Sequence, residues 1–251
     1  MAAALEQALA AQLLAMADDE LILAHRNSEW TGHAPILEED IAFSNIAVDE
    51  LGHATLWYGL HGDLTGEDAD KLVFFRSAPE FRNTQLVELP KNDWAFTIVR
   101  QFLFDAAERA RLALLSESAY APMAEAAAKM YTEELYHFRH THAWLQRLGL
   151  GTDESHRRMQ RALDQLWPYI AQLFTPLPQE QLLVAADYTP DPPAVRAAWE
   201  ALVHPALQEA DLTAPGGAAH IAAGRDKHTP HLEALLAEMQ SVARLDPQAV
   251  W

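Results

Sequence analysis

Two copies of one short motif contain the side chains with the clearest chemical potential. A glutamate is followed three positions later by a histidine at Glu50–His53 and again at Glu134–His137. Residues at i and i+3 share one face of a helix, so each pair directs a carboxylate and an imidazole to one point. A single copy is a common coincidence, whereas two copies on helical stripes indicate a shared function. Carboxylate and imidazole groups together are typical ligands of iron or manganese.

Two more glutamates complete the predicted ligand set. Apolar residues recur at heptad-like spacing in four helical segments, and ionisable residues interrupt each apolar stripe near its middle. Burying a charge without a partner is costly, so the four interruptions should share one cause. The predicted cause is a dinuclear metal site whose ligands are Glu20, Glu50, His53, Glu108, Glu134 and His137. Four carboxylates of this set would balance two divalent cations.

Four neighbouring polar residues have supporting roles in this prediction. Asp49 and Glu133 directly precede the two motif glutamates. Because metal-bound imidazoles usually donate their second N–H to a carboxylate, Asp49 and Glu133 are predicted to hold the ligand histidines. Gln101 and Asp105 lie two turns and one turn before Glu108 on the same stripe. They could line a substrate cavity, tune a proton path or pair with a neighbouring polar group.

The same side chains also permit less specific interpretations. A single glutamate on a helix is usually a solvated charge, and a lone histidine is usually an ordinary core or surface residue. A site with one metal, or a buried salt-bridge network, would use the same residues. The sequence leaves these alternatives open.

Composition narrows the possible chemistry. The chain has 251 residues, with 36 acidic against 18 basic side chains, a formal net charge of −18, twelve histidines and no cysteine. The lack of cysteine excludes disulfides, thiolate zinc sites, iron–sulfur clusters and a cysteine nucleophile. The acidic excess argues against nucleic acid and anionic membranes as partners, because both need basic patches. Without a basic signal-like start or a long uncharged apolar run, we expect a cytoplasmic protein.

Helical periodicity dominates the sequence and predicts the elements that carry these residues. The predicted helices cover about 2–26, 37–60, 93–118, 122–149, 153–174, 194–212 and 229–244. A long connection over 63–93 separates the second helix from the third, which is the connectivity of a ferritin-like bundle. We therefore predict an all-α, ferritin-like four-helix bundle with additional C-terminal helices. One domain would cover 1–251, with the bundle core at about 2–149 and an extension at about 150–251.

Six stretches of the sequence resemble one known family, and the similarity extends over nearly the whole chain. The stretches are Glu29–Pro35, Asn45–Ala54, Arg100–Phe102, Tyr136–Arg139, Trp144–Gly149 and Leu236–Gln240. On these stretches the sequence resembles the phenylacetate-degradation oxygenase family. The resemblance implies a bacterial multicomponent monooxygenase that epoxidises the aromatic ring of phenylacetyl-CoA with O₂. It therefore implies a di-iron carboxylate centre, with two Fe, or possible Mn, as the cofactor.

The resemblance also implies partners. In this family a catalytic A-type subunit holds the di-iron centre, a related structural subunit pairs with it, and a separate reductase supplies electrons from NADPH. The structural subunits have lost ligands, whereas ligand-type residues occupy all six predicted ligand positions of this sequence. Phosphates of coenzyme A favour basic grooves, so we expect most contacts to a phenylacetyl-CoA-like substrate to lie on a partner subunit.

Three functions are consistent with these observations. The chain could be a metal-binding subunit of a phenylacetyl-CoA-type oxygenase, or a structural subunit that keeps the ligands without turnover. It could also be a stand-alone di-metal oxidase or iron-handling protein of the ferritin superfamily, since one fold supports many functions.

Overall fold

The computed structural model describes residues 2–217, 220–221 and 223–248, and within these ranges the regular structure is helical and contains no strand. The α-helices are α1 (Ala2–Ser28), α2 (Leu37–Thr65), α3 (Ala69–Phe74), α4 (Gln85–Glu88), α5 (Trp94–Leu115), α6 (Ala121–Gly149), α7 (Asp153–Leu166), α8 (Ile170–Leu173), α9 (Glu180–Ala185), α10 (Pro192–Glu209) and α11 (Pro230–Met239). Short 3₁₀ helices cover Ala78–Glu80, Trp167–Tyr169 and Ala243–Leu245. No helix in this described part of the chain is both long and apolar enough to cross a membrane.

The four longest N-terminal helices form two hairpins. Helix α1 packs along α2, and α5 packs along α6, with a short turn between the helices of each pair. The segment 66–93, which contains α3 and α4, connects the first hairpin to the second. Helices α7 and α10 then pack against α5. The predicted all-α, ferritin-like bundle with additional C-terminal helices is confirmed.

Local sequence signals explain where α5 begins. The Oδ1 atom of Asp93 accepts a hydrogen bond of 2.9 Å from the backbone N–H of Phe96, which is an N-cap. The helix ends at Leu115, three residues before the predicted end at Ser118. Ser118 instead donates its hydroxyl to the carbonyl oxygen of Tyr188, at 2.8 Å, and so joins the turn to the C-terminal part.

The predicted helix over 153–174 is interrupted in the structure. Helix α7 ends at Leu166, a 3₁₀ turn follows, and α8 begins at Ile170. Pro168 lies inside the 3₁₀ turn. Proline has no N–H to donate and its ring crowds the preceding turn, so a continuous α-helix is disfavoured there.

A buried carboxylate anchors the connection between the two hairpins. Asp18 on α1 is fully buried and accepts hydrogen bonds from the hydroxyl of Tyr58 at 2.5 Å and the backbone N–H of Arg82 at 2.7 Å. The guanidinium group of Arg76 donates two more, at 2.5 and 3.0 Å. A buried carboxylate is tolerated when it is paired and fully hydrogen-bonded. The connection is therefore fixed to α1 only two residues before Glu20.

A second buried carboxylate attaches the C-terminal part to the same connection. Glu88 on α4 accepts hydrogen bonds from the side chains of Asn83 at 3.0 Å and His228 at 2.6 Å. The backbone N–H of Thr229, which is the N-cap of α11, donates to the same carboxylate at 2.6 Å. These contacts hold the start of α11 against the bundle.

We expect the substitution Gly149→Ala to destabilise the protein. A Cβ atom at Gly149 would overlap the carbonyl oxygen of Ala210, where the ends of α6 and α10 meet. Overpacking of this kind costs about 1–3 kcal/mol, and the melting temperature should fall by about 3–10 °C. The matched control is Gly59→Ala within α2, because a Cβ atom there meets nothing within 4 Å. The control should raise the melting temperature slightly, since alanine favours helix. Equal effects of the two substitutions in thermal unfolding would contradict this packing.

Candidate metal centre

Six ionisable side chains from all four bundle helices meet in one buried region. Each is 2% exposed or less: Glu20 on α1, Glu50 and His53 on α2, Asp105 on α5, and Glu134 and His137 on α6. Two triads within this region have candidate ligand atoms within 4.8 Å of one another. The first triad is Glu20, Glu50 and His53, and the second is Glu50, Asp105 and His137. Glu50 belongs to both triads, so the two sets of ligand atoms adjoin each other.

Both histidines direct the same ring nitrogen into the cluster. The Nδ1 atom of His53 lies 3.8 Å from Glu20, 3.9 Å from Glu50 and 3.6 Å from Glu134. The Nδ1 atom of His137 lies 3.0 Å from Glu134 and 3.8 Å from Glu50. Each imidazole is therefore surrounded on its inner side by carboxylate oxygens.

The Nε2 atoms of the two histidines point out of the cluster and bond to Asp49 and Glu133, the residues directly before Glu50 and Glu134. His53 donates its Nε2–H to Glu133 at 2.9 Å, and His137 donates its Nε2–H to Asp49 at 3.2 Å. The pairing is crossed, because each histidine is held by the carboxylate of the facing helix. An N–H group directed outward leaves Nδ1 free to offer its lone pair inward.

Several inward-facing atoms of the cluster lack a hydrogen-bond partner among the described residues. They are one carboxylate oxygen each of Glu20, Glu50 and Glu134, and the Nδ1 atom of His53. A buried polar atom without a partner is costly, and native structures contain few of them. Bound cations would give these atoms partners. The donor set of carboxylate oxygen and imidazole nitrogen therefore fits a dinuclear site for iron or manganese.

Burial raises the pKa values of three carboxyl groups in the cluster. Burial raises the pKa of Glu20 to about 8, with a further contribution from the charge of Glu134. It also raises the pKa values of Glu50 and Asp105 well above their usual range. A divalent cation would compete with these protons for the same oxygens, so its binding would release protons.

At His137 the neighbouring carboxylates together change the pKa of the imidazole more than burial does. Burial alone would lower its pKa, but the carboxylates of Glu134 and Asp49 outweigh burial and raise the pKa above its usual value. The hydrogen bond from His137 correspondingly lowers the pKa of Asp49. Asp49 is therefore suited to remain an anion that orients the histidine.

Glu108 lies outside both triads. Its carboxylate forms an ion pair with Arg111 one turn later on α5, and Arg111 also donates to the carbonyl oxygen of Leu173 at 3.1 Å. Asp105, one turn earlier, is the α5 carboxylate that joins the cluster. The sequence contains a signal for this arrangement, because an arginine three residues after a glutamate favours a local ion pair.

Gln101 and Asp105 lie within the bundle beside the other cluster residues. Both are fully buried, and the side chain of Gln101 is hydrogen-bonded to Asn27, Glu50 and Asp105. The hydroxyl of Thr141 donates to the second oxygen of Asp105 at 2.7 Å. Gln101 and Thr141 thus hold the carboxylates of Glu50 and Asp105 by hydrogen bonds.

We expect Glu20→Gln to stabilise the metal-free protein at pH 8. Glu20 keeps its proton more tightly in the folded state, so the stability that this proton contributes is complete below about pH 4.5 and is lost as the pH rises to about 8. Glutamine removes this loss, and the melting temperature of chelator-treated protein at pH 8 should rise on the order of 5 °C. Exposed Glu125→Gln is the control and should change the melting temperature little. A lower melting temperature for Glu20→Gln at pH 8 would contradict the electrostatic description.

Comparison with known proteins identifies the family of this chain. Residues 1–251 match the family described as phenylacetic acid catabolic protein. The chain is 41% identical over 245 residues to the C-type subunit of 1,2-phenylacetyl-CoA epoxidase from Escherichia coli (strain K12), which covers 97% of this chain and 99% of that protein. By a match over its whole length, the chain belongs to the phenylacetic acid catabolic protein family.

Proposed function

We propose that this chain is a subunit of a phenylacetyl-CoA epoxidase in phenylacetate catabolism and that it holds a dinuclear iron centre, with manganese as the other candidate metal. The similarity to the C-type subunit of the Escherichia coli enzyme supports the complex and its substrate. The observation that carries the metal centre is the set of buried, inward-facing atoms of Glu20, Glu50, His53 and Glu134 without hydrogen-bond partners.

The residues of the cluster have distinct tasks in this proposal. Carboxylates of Glu20, Glu50, Asp105 and Glu134 provide four negative charges for two divalent cations, and the two histidines provide neutral nitrogen ligands. Asp49 and Glu133 fix the imidazole rings from outside. Burial in the bundle excludes bulk water from the six cluster residues. When bound, a di-iron centre of this type supplies the activation of dioxygen.

Metal analysis tests the proposed centre directly. After anaerobic loading with Fe(II), the wild-type protein should retain about two metal ions per chain, as a dinuclear carboxylate site requires. The double substitution Glu50→Gln with His53→Gln changes the carboxylate that both triads share and the histidine of the first triad. It should abolish the retention of metal. The control pair, His33→Gln with Glu38→Gln, changes the same residue types on the exposed surface and should retain the metal. A wild-type protein that binds neither Fe(II) nor Mn(II) would refute the centre.

Activity of the assembled complex separates a catalytic centre from a structural one. If the complex that contains the double variant loses epoxidation of phenylacetyl-CoA, the centre takes part in turnover. Epoxidation at the wild-type rate would show that this chain contributes structure alone. Oxidase activity of the isolated chain, without partner subunits, would favour the stand-alone oxidase instead.

The proposed partners are a catalytic A-type subunit and a reductase, and the surface of α2 offers a place for the first of them. Leu37, Ile41, Val48 and Leu51 are between 39% and 72% exposed and form what we call the outer face of α2. The opposite side of the same helix is buried in the bundle and carries both apolar and ionisable residues. A second, exposed row of large apolar side chains on such a helix is typical of a surface that another protein covers.

Charge argues that the outer face of α2 is covered by a different protein chain. Asp49 on the same helix and Glu133, which bonds to His53 of that helix, have half-exposed carboxylates, and the chain has a net charge of −18. A second copy would bring the same negative charges to the interface, and like charges across an interface are unfavourable. A subunit that binds the phosphates of coenzyme A needs basic residues, and such a partner is complementary to this acidic border.

We expect Ile41→Glu and Val48→Glu to weaken binding to the catalytic subunit by about tenfold or more, since each buries a charge at an apolar contact. Affinity can be measured by titration calorimetry with the purified catalytic subunit. Leu245→Glu is the control, because Leu245 is also an exposed apolar residue, at 84% exposure, but is not part of the outer face of α2. Unchanged affinity of both variants would refute the interface. Self-association of the wild-type chain through this face would also refute it.

A further inference from the structure

A continuous row of buried hydrogen bonds reaches the candidate metal centre from one side. Asn27 on α1 donates its Nδ2–H to the Oε1 atom of Gln101 on α5, at 2.8 Å. The Nε2 group of Gln101 donates to Glu50 at 2.9 Å and to Asp105 at 2.7 Å. All four side chains are fully buried. Water therefore cannot replace any of these contacts.

The orientation of the Gln101 amide follows from its partners. A primary amide has two N–H donors and one oxygen acceptor. Both donors of Gln101 point to carboxylate oxygens, and its oxygen accepts from Asn27. A rotated amide would place its oxygen against two carboxylates, which is electrostatically unfavourable in a buried region. Gln101 is thus held in a single orientation.

Gln101 connects the carboxylates of two different helices. Glu50 belongs to both triads, and Asp105 belongs to the second. Two carboxylates close together repel each other strongly when buried. The amide of Gln101 offers one donor to each and so holds Glu50 of α2 beside Asp105 of α5. The second oxygen of Glu50 stays without a partner and remains available to a cation.

The buried guanidinium group of Arg100 lies at the end of this row of hydrogen bonds, next to Asn27. Arg100 is fully buried, and its guanidinium donates to the carbonyl oxygen of Leu89 at 2.5 Å and to the Oδ1 atom of Asn27 at 3.4 Å. Burial lowers the pKa of Arg100 to about 9, which leaves the group charged at neutral pH. Donation to Oδ1 turns the Nδ2 group of Asn27 toward Gln101. Hydrogen bonds in such a row polarise one another, which strengthens the donors that face the carboxylates.

We propose that Gln101, oriented by Asn27, is a positioning residue that holds Glu50 and Asp105 in the geometry needed to bind cations at the candidate metal centre. The inference rests on the proposed function, because it assigns a role to Gln101 within the same centre. It predicts that the loss of the amide donors weakens cation binding although every ligand atom is still present. A merely structural glutamine would affect stability without changing the surroundings of a bound ion.

The test uses Co(II) alone as the probe, with the full chain, because its visible absorption reports ligand geometry as well as binding. Gln101→Met keeps the approximate shape of the side chain and removes both donors. We expect Gln101→Met to bind Co(II) about 10- to 100-fold more weakly, with a changed visible spectrum. Asn27→Leu leaves the Gln101 amide in place without its anchor, so a smaller loss and a smaller spectral change are expected.

Gln172→Met is the matched control. Gln172 is also fully buried, and it bonds to the backbone N–H of Gln85 and the carbonyl oxygen of Gly224 rather than to the cluster. It should leave Co(II) affinity and spectrum unchanged even if it lowers the melting temperature.

The possible results separate this inference from the proposed function. A wild-type chain that does not bind Co(II), Fe(II) or Mn(II) overturns the metal centre and this inference with it. A wild-type chain that binds Co(II), together with Gln101→Met of unchanged affinity and spectrum, overturns this inference alone. If Gln101→Met does not fold, Asn27→Leu decides: unchanged Co(II) affinity and spectrum overturn the inference, and a weakened, altered site supports it.

Discussion

Four carboxylates buried in the centre of a helical bundle are the constraint on which the rest of this structure depends. Each bundle helix contributes one of them: Glu20, Glu50, Asp105 and Glu134. Buried anions at short range repel each other unless protons or cations compensate their charge. Burial raises the pKa values of Glu20, Glu50 and Asp105, which favours protons in this role when no metal is bound. The inward Nδ1 atoms of the histidines fit a cation in the same role.

The surrounding side chains supply donors wherever the cluster needs orientation and leave the inner atoms without partners. Gln101 and Thr141 hold Asp105, and the outer carboxylates Asp49 and Glu133 hold the histidines. The connection between the hairpins is fixed to α1 through Asp18. A site built on packed helices and supported by a second layer of hydrogen bonds keeps its geometry before any ligand arrives.

The acidic character of the chain has two different origins. Part of the formal charge of −18 belongs to the buried cluster, where two divalent cations would compensate four carboxylates. The remainder is divided between surface carboxylates and buried ones that are paired with other groups, such as Asp18 and Glu88. A subunit of this charge suits a complex in which a more basic partner binds the phosphates of the substrate. The family to which the chain belongs and the proposed role in an epoxidase complex agree with this division.

The sequence by itself determined the four long bundle helices and which face of each is buried. The periodicity placed the four long helices within about five residues of their observed ends, and Asp93 marked the start of α5 through its capping side chain. The two glutamate–histidine motifs lie on the buried faces that their spacing predicted. Such features depend on interactions within one turn or one helix, and a single stretch of sequence contains them completely.

Only the tertiary structure decided which side chains meet. Asp105 and Glu108 lie on the same stripe of α5, about 4.5 Å apart along the helix axis, so periodicity alone cannot choose between them. The height at which α5 faces α2 and α6 brings Asp105 into the cluster, while Arg111 pairs with Glu108. The crossed pairing of each histidine with the carboxylate of the facing helix depends on the same register. Periodicity specifies an angle around a helix, whereas the relative height of neighbouring helices is set by packing, turns and the long connection between the hairpins.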